Sequence, residues 1–196
     1  MNTLENHEVF RWAEQRGIVF DRNGRSGFLT TSRSCVLIRP PTDFTRVAFL
    51  SYSLLTLLSQ NEDEFGGAVL WLQEFDTEDA PINRVAGAVW RDLRAANGER
   101  RPLRETHGHL FGRNELWEAS AFTFLALGFH WNLYLLPESG EFFIYKHHDE
   151  AIYVVGRTED ITQRLLHDLE PGAWTPRRQE CPWYLLPARA EGSAAL

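Results

Sequence analysis

"FHWNLYLLPESGEFFIYKHHDEAIYVVGR", residues 129–157, decides how the rest of the chain is read. Three apolar runs, each rich in aromatic or β-branched residues, are separated only by "ESG" and "HHDE". Runs of this length and type form strands, and gaps this short leave room for nothing but hairpin turns. The spacing therefore predicts an antiparallel three-strand meander, with His147, His148, Asp149 and Glu150 at its second turn.

Downstream of the meander, Thr158 is placed to cap a helix carrying Ile161, Leu165, Leu166 and Leu169 on one face. Glu159 and Asp160 suit its positive first turn, and Pro171-Gly172 ends it. The tail is rich in proline. Its "WYLLP" segment (183–187) is expected as an edge strand or an extended arm, and residues 189–196 as a frayed end.

Upstream, "ELWEASAFTFLAL" (115–127) reads as a helix, with a strand still open because of its aromatic and threonine content. The stretch 99–114 reads as irregular and polar. Asp79 and Pro81 supply a cap and an N1 proline for a helix with Ile82, Val85, Ala86, Val89, Trp90 and Leu93 on one face, stopped at Asn97-Gly98. "GGAVLWLQEF" (66–75) and "SCVLIR" (34–39) are buried-type strands. Between them a helix capped by Thr42 or Asp43 runs to about Ser59, apolar nearly all round and so expected to be covered on most sides. Strand, helix and strand together suggest a right-handed βαβ unit. At the front, residues 4–16 form an amphipathic helix ended by Gly17, followed by a short strand Ile18–Phe20 and a turn in "DRNGRSG".

The resulting order is an α+β (mixed α/β) class: one domain over residues 1–188, with a central mixed sheet, a C-terminal antiparallel meander and helices on the sheet faces. The chain has 196 residues, 43% hydrophobic and 24% charged, enough for one sizeable core. A net charge of −7 repels a phosphate backbone, so nucleic acid is not an expected partner. The most apolar segment, "FTRVAFLSYSLLTLL" (44–58), contains Arg46 and is too short to span a bilayer, so no membrane role is expected. The N-terminus lacks the apolar core of a secretory signal. Cytoplasmic residence follows as the expectation. Cys35 and Cys181 are the only cysteines and lie far apart in sequence, which is neither a disulfide framework nor a zinc motif. Cys35, inside an apolar run, is expected to be buried and inert.

Chemistry could sit in four places. At the meander turn, His148 with Asp149 or Glu150 could offer metal ligands, although the simpler reading is a solvated turn. In "ETHGHL", His107 and His109 have the H-x-H spacing that places two imidazoles on one strand face. Folded over the turn, this loop would complete a centre for zinc or another divalent ion. Glu74 and Asp76 alternate onto one face at a strand end, where paired carboxylates could hold a cation or exchange protons. Arg91, Arg94, Arg100, Arg101 and Arg104 form a basic cluster able to bind an anion or an acidic partner segment, or simply to solvate the outer face of a helix. Phosphate-loop, dinucleotide, hydrolase-elbow and kinase motifs are all missing.

In layout, a small acidic α+β chain with an aromatic-rich sheet loosely resembles bacterial immunity and other toxin-neutralising proteins, though no motif carries the likeness. The missing catalytic motifs, the net negative charge and the abundant Trp and Tyr make a non-enzymatic protein-binding domain without a cofactor the leading expectation. Trp117, Trp174, Trp183 and Tyr184 are its candidate anchors. A metal-dependent hydrolase or metal-binding protein, and a domain for a small anionic ligand, are the alternatives. Oligomeric state is not legible.

Overall fold

A computed structural model describes residues 1–20, 26–28, 33–61, 64–74, 81–147, 151–170 and 174–186. In chain order the elements are β1 (Asn2–Leu4), α1 (Asn6–Glu14), β2 (Ile18–Phe20), β3 (Ser26–Phe28), β4 (Ser34–Ile38) and α2 (Phe44–Thr56). There follow β5 (Ser59–Asn61), β6 (Glu64–Phe65), β7 (Ala68–Glu74), α3 (Pro81–Ala96), β8 (Gly108–Phe111) and α4 (Leu116–Gly128). The chain ends with β9 (Asn132–Pro137), β10 (Phe142–His147), β11 (Ala151–Gly156), α5 (Glu159–Leu169), β12 (Arg177–Glu180) and a 3₁₀ turn (Trp183–Leu185). The α+β class is as expected.

The centre is an eight-stranded sheet in the order β1-β8-β7-β9-β10-β11-β4-β12, and the small pairs β2-β3 and β5-β6 lie apart from it. Each ladder of the large sheet is antiparallel, so its only mixed feature is the connectivity. The meander strands form as read, with Phe142 opposite Gly156, except that His147, expected in the turn, is the last residue of β10 and pairs with Ala151. Across the other turn, Ile144 faces Leu135.

Both faces of this sheet are covered, which explains why its strands read as continuous apolar runs rather than alternating ones. Phe142 and Ile144 point into one core with Leu133, Leu135, Leu70 and Leu72, under α2, α3, α4 and α5. Phe143 and Tyr145 point the other way, with Tyr134, Val69 and Trp71, under α1, the β2-β3 pair and the 3₁₀ turn. The period-2 alternation is intact; each face simply has its own lid.

Local caps follow the side-chain chemistry. Asp43, not Thr42, caps α2, accepting from the Thr45 and Arg46 amides at 3.0 and 3.2 Å. The Thr158 hydroxyl accepts from the Ile161 amide at 3.3 Å and starts α5. Gly17, at the end of the α1 turn, has φ +75°, a conformation in which a side chain is strained.

Several expectations need correction. β4, α2 and β7 do not make a compact βαβ unit: the two strands point the same way, but β9, β10 and β11 lie between them. The stretch 99–114 is not wholly irregular, because Gly108–Phe111 joins β1 to β7 as β8. The "WYLLP" segment contributes a 3₁₀ turn rather than a strand. The edge beyond β4 is instead the polar β12, where Gln179 pairs with Cys35. Helix α2 is not covered on most sides, since Phe44 and Phe49 are exposed. On α3, Ala86 and Trp90 are buried while Val85 and Val89 face solvent. The 115–127 segment is helical.

Candidate functional site

Among the described residues, those singled out from sequence as metal ligands do not converge. His148, Asp149, Glu150 and Asp76 lie outside the described residues, and of Glu74 only the backbone is described, opposite Asn132 beside a register shift. His107 precedes β8 and is half-buried; burial lowers its pKa, opposed by a hydrogen bond to the backbone of Arg104. Among the described residues, no three histidine, cysteine, aspartate or glutamate side chains are grouped as metal ligands.

His109 sits instead in the helix-side core. Its ring lies 5.5 Å from Trp90 and 5.1 Å from Phe122. It is fully buried, and neither ring nitrogen reaches a hydrogen-bond partner of good geometry. Burial and then the nearby Arg94 charge push its pKa down to about 3, while backbone groups of His107 and Leu70 oppose them too weakly to matter. The imidazole is thus a neutral core filler at physiological pH.

The arginine cluster also splits. Arg94 is buried rather than on the outer helix face: it donates to the Arg101 carbonyl at 2.9 Å and to the Thr106 hydroxyl. It thereby ties the end of α3 to the loop before β8. Arg101 pairs with Glu99 at 2.7 Å. Hydrogen bonds from Arg101 come first in holding the Glu99 carboxylate down to about 2. Arg91 lies 3.8 Å from Asp92, and Arg91, Arg100 and Arg104 are exposed. Sequence reasoning also missed Lys146, buried inside β10, whose ammonium donates to the His147 carbonyl at 2.6 Å. Its apolar neighbours, "FFIY", gave no hint of a buried cation.

A different place shows the features of a site. Helices α2 and α4 run antiparallel on the sheet, with Phe44 at the start of α2 against Phe124 near the end of α4 (6.2 Å). At the other end, Tyr52 stacks on Trp117 at 5.4 Å. Their outer surfaces bound a groove of about 720 Å³, with Ala48, Ser51, Ser120, Ala121 and Trp174 in its lining. Phe44 is 68% exposed, Phe49 63% and Trp117 71%. A helix apolar on all sides needs a cover on all sides, and the sheet covers only the inner half of these two. Three rings exposed to that extent leave roughly 400 Å² of aromatic surface in water, within the size range of functional patches on monomers. Arg46 is the charged residue in the groove lining, and Asp43 holds it at 3.3 Å. Of the four anchors expected from sequence, Trp117 and Trp174 line this groove, with Trp174 buried. Trp183, exposed, and Tyr184, half-buried, lie in the 3₁₀ turn on the opposite side of the sheet. No helix of the described residues is long and apolar enough to cross a membrane.

No family model matches the chain, and no curated protein or solved structure matches it either.

Proposed function

We propose that the chain is a non-enzymatic protein-binding domain of the cytoplasm, immunity-like or regulatory in kind. Its docking face is the α2–α4 groove, and its partner is a basic protein presenting an apolar segment to that groove. The carrying observation is a pair of exposed rings, Phe49 and Trp117, lining one groove of two adjacent helices, with the exposed Phe44 packed on Phe124 of that lining.

Aromatic side chains supply most of the affinity in protein interfaces, because they bury large area at little rotamer cost. Covering roughly 400 Å² here corresponds to a gross ~10 kcal/mol at ~25 cal/mol per Å², part of which is lost to association entropy. About half of the ~800 Å² that one partner contributes to a standard interface is thus supplied by three rings. The groove lining is almost uncharged while the whole chain carries −7, so a basic partner is steered toward the protein without having to desolvate charges at the contact. Two free buried cysteines accord with a reducing compartment.

A photo-crosslinking residue placed at Phe49 or Trp117, with Arg91 on α3 as control, tests this in the native host. The expected result is one discrete adduct with a basic protein from both groove positions and none from Arg91. Adducts of equal yield from Arg91, or adducts only of the chain with itself, would overturn the reading.

A further inference from the structure

β12 pairs with β4 in a register that sets Gln179 opposite Cys35. Cys181, two residues on, therefore lies diagonally across from Cys35 on the same sheet face, since residues two apart in a strand share a side. Its amide still holds the strand line, donating to the Arg33 carbonyl at 2.7 Å. Both thiols belong to the core under α1 and the 3₁₀ turn, and the Cys35 thiol is the leading influence on that of Cys181. Two cysteines far apart in sequence, which looked unrelated, are neighbours in space. Both are free.

We propose that Cys35 and Cys181 are a redox-active dithiol that closes to an intramolecular disulfide, with a low-molecular-weight disulfide of the glutathione type as oxidant. Three features make the pair reactive only on demand. Both side chains are almost fully buried, so an oxidant cannot reach them in the closed fold. The contact with Cys35, and then burial, push the Cys181 thiol well above its usual range, so it stays protonated there. And β12 is the terminal strand of the sheet, with Arg177, Arg178 and Glu180 in solvent, so it is a segment able to open locally while the sheet centre stays folded.

On opening, the Cys181 thiol loses its proton to water and its sulfur attacks one sulfur of the oxidant. A mixed disulfide forms, and one oxidant thiolate leaves. When β12 closes again, deprotonated Cys35 attacks the Cys181 sulfur and expels the second oxidant thiolate. Two protons and two electrons pass from the cysteine pair to the oxidant, which ends as two thiols. Cys181 directly follows the last residue of β12, so the approach that a sulfur–sulfur bond requires falls at the end of the strand rather than within its ladder. The product staples the C-terminal edge strand, and the 3₁₀ turn behind it, to the sheet.

The test equilibrates the full chain in glutathione buffers from fully reduced to fully oxidised, at a fixed pH near neutrality. The expected result is loss of both titratable thiols in the monomer, a Cys35–Cys181 cross-linked peptide, and full reversal by added dithiothreitol. Amide exchange in β12 should slow by about tenfold or more in the oxidised form. In Cys35→Ser, Cys181 should accumulate the mixed disulfide and go no further. Two thiols still titratable in the folded chain at the most oxidising ratio, while the urea-unfolded chain loses both, would overturn the proposal. So would glutathione adducts or intermolecular dimers as the only products of the wild-type chain.

Discussion

Replacing His109 by leucine should make the protein less sensitive to acid. The imidazole is fully buried beside Trp90 and Phe122, with a pKa pushed down to about 3 from an ordinary 6.5. Between those values the unfolded chain holds a proton on this residue and the folded chain does not. Stability therefore falls as pH drops below about 6.5, at a limiting ~1.4 kcal/mol per pH unit, until the folded group itself titrates. From about pH 7.5 to about pH 5 the loss attributable to His109 is ~2 kcal/mol, and this figure is the same for any folded pKa below about 4. Glu99 contributes little in that window, since a carboxylate held down to about 2 from 4.5 gives up its stabilisation only as pH falls below about 4.5. Urea unfolding followed by tryptophan fluorescence at the two pH values measures the effect. The leucine variant should lose ~2 kcal/mol less than wild type across the interval, with an unchanged m-value. At neutral pH it should be at least as stable, since leucine removes two buried nitrogens that lack a good hydrogen-bond partner. Equal losses in both proteins would refute the placement of a neutral imidazole in the core.

Two further substitutions test the local arguments. Asp43→Ala removes the cap accepting from the Thr45 and Arg46 amides, and should cost ~1 kcal/mol in urea unfolding, or about 2–4 °C in Tm. Gly108→Ala would set a methyl group 2.5 Å from the Val9 side chain and 3.0 Å from Leu4 Cβ, so α1 must shift off β8. A loss of about 1–3 kcal/mol is expected, and an unchanged Tm would contradict the close packing of α1 on that strand.

How much of this was legible in the sequence depended on whether the signal was local. The meander was, because Phe142–Tyr145 and Ala151–Val155 form apolar runs joined by a turn too short for any other geometry. The cap at Thr158 and the stop at Gly17 were legible for the same reason, and the cap of α2 was narrowed to Thr42 or Asp43. β8 was hidden because four residues, Gly108–Phe111, carry their apolar content inside an arginine-rich stretch. β12 was hidden because an edge strand with Arg177, Arg178 and Glu180 in solvent has no apolar pattern to find. Missing β12 meant missing the cysteine pair, which exists only through its register with β4. The βαβ reading failed because strand adjacency is a long-range property, and periodicity could not show three strands inserted between β4 and β7. His107 and His109 looked equivalent by spacing, yet only packing against Trp90 and Phe122 buries the second. The groove had a sequence signal that was misread. The almost uncharged α2 reads as a covered helix, when the same composition marks a helix awaiting a cover.

The most direct test of the central claim is the affinity of the partner captured at Phe49 for the wild-type chain and for Phe49→Glu and Trp117→Glu, measured by calorimetry with purified proteins. Both side chains are mostly exposed, so each variant should keep its Tm within a few degrees. Each should bind at least about 30-fold more weakly, the loss of a hot spot worth ~2 kcal/mol or more. Undiminished affinity in both folded variants would contradict the assignment of the α2–α4 groove as the docking face.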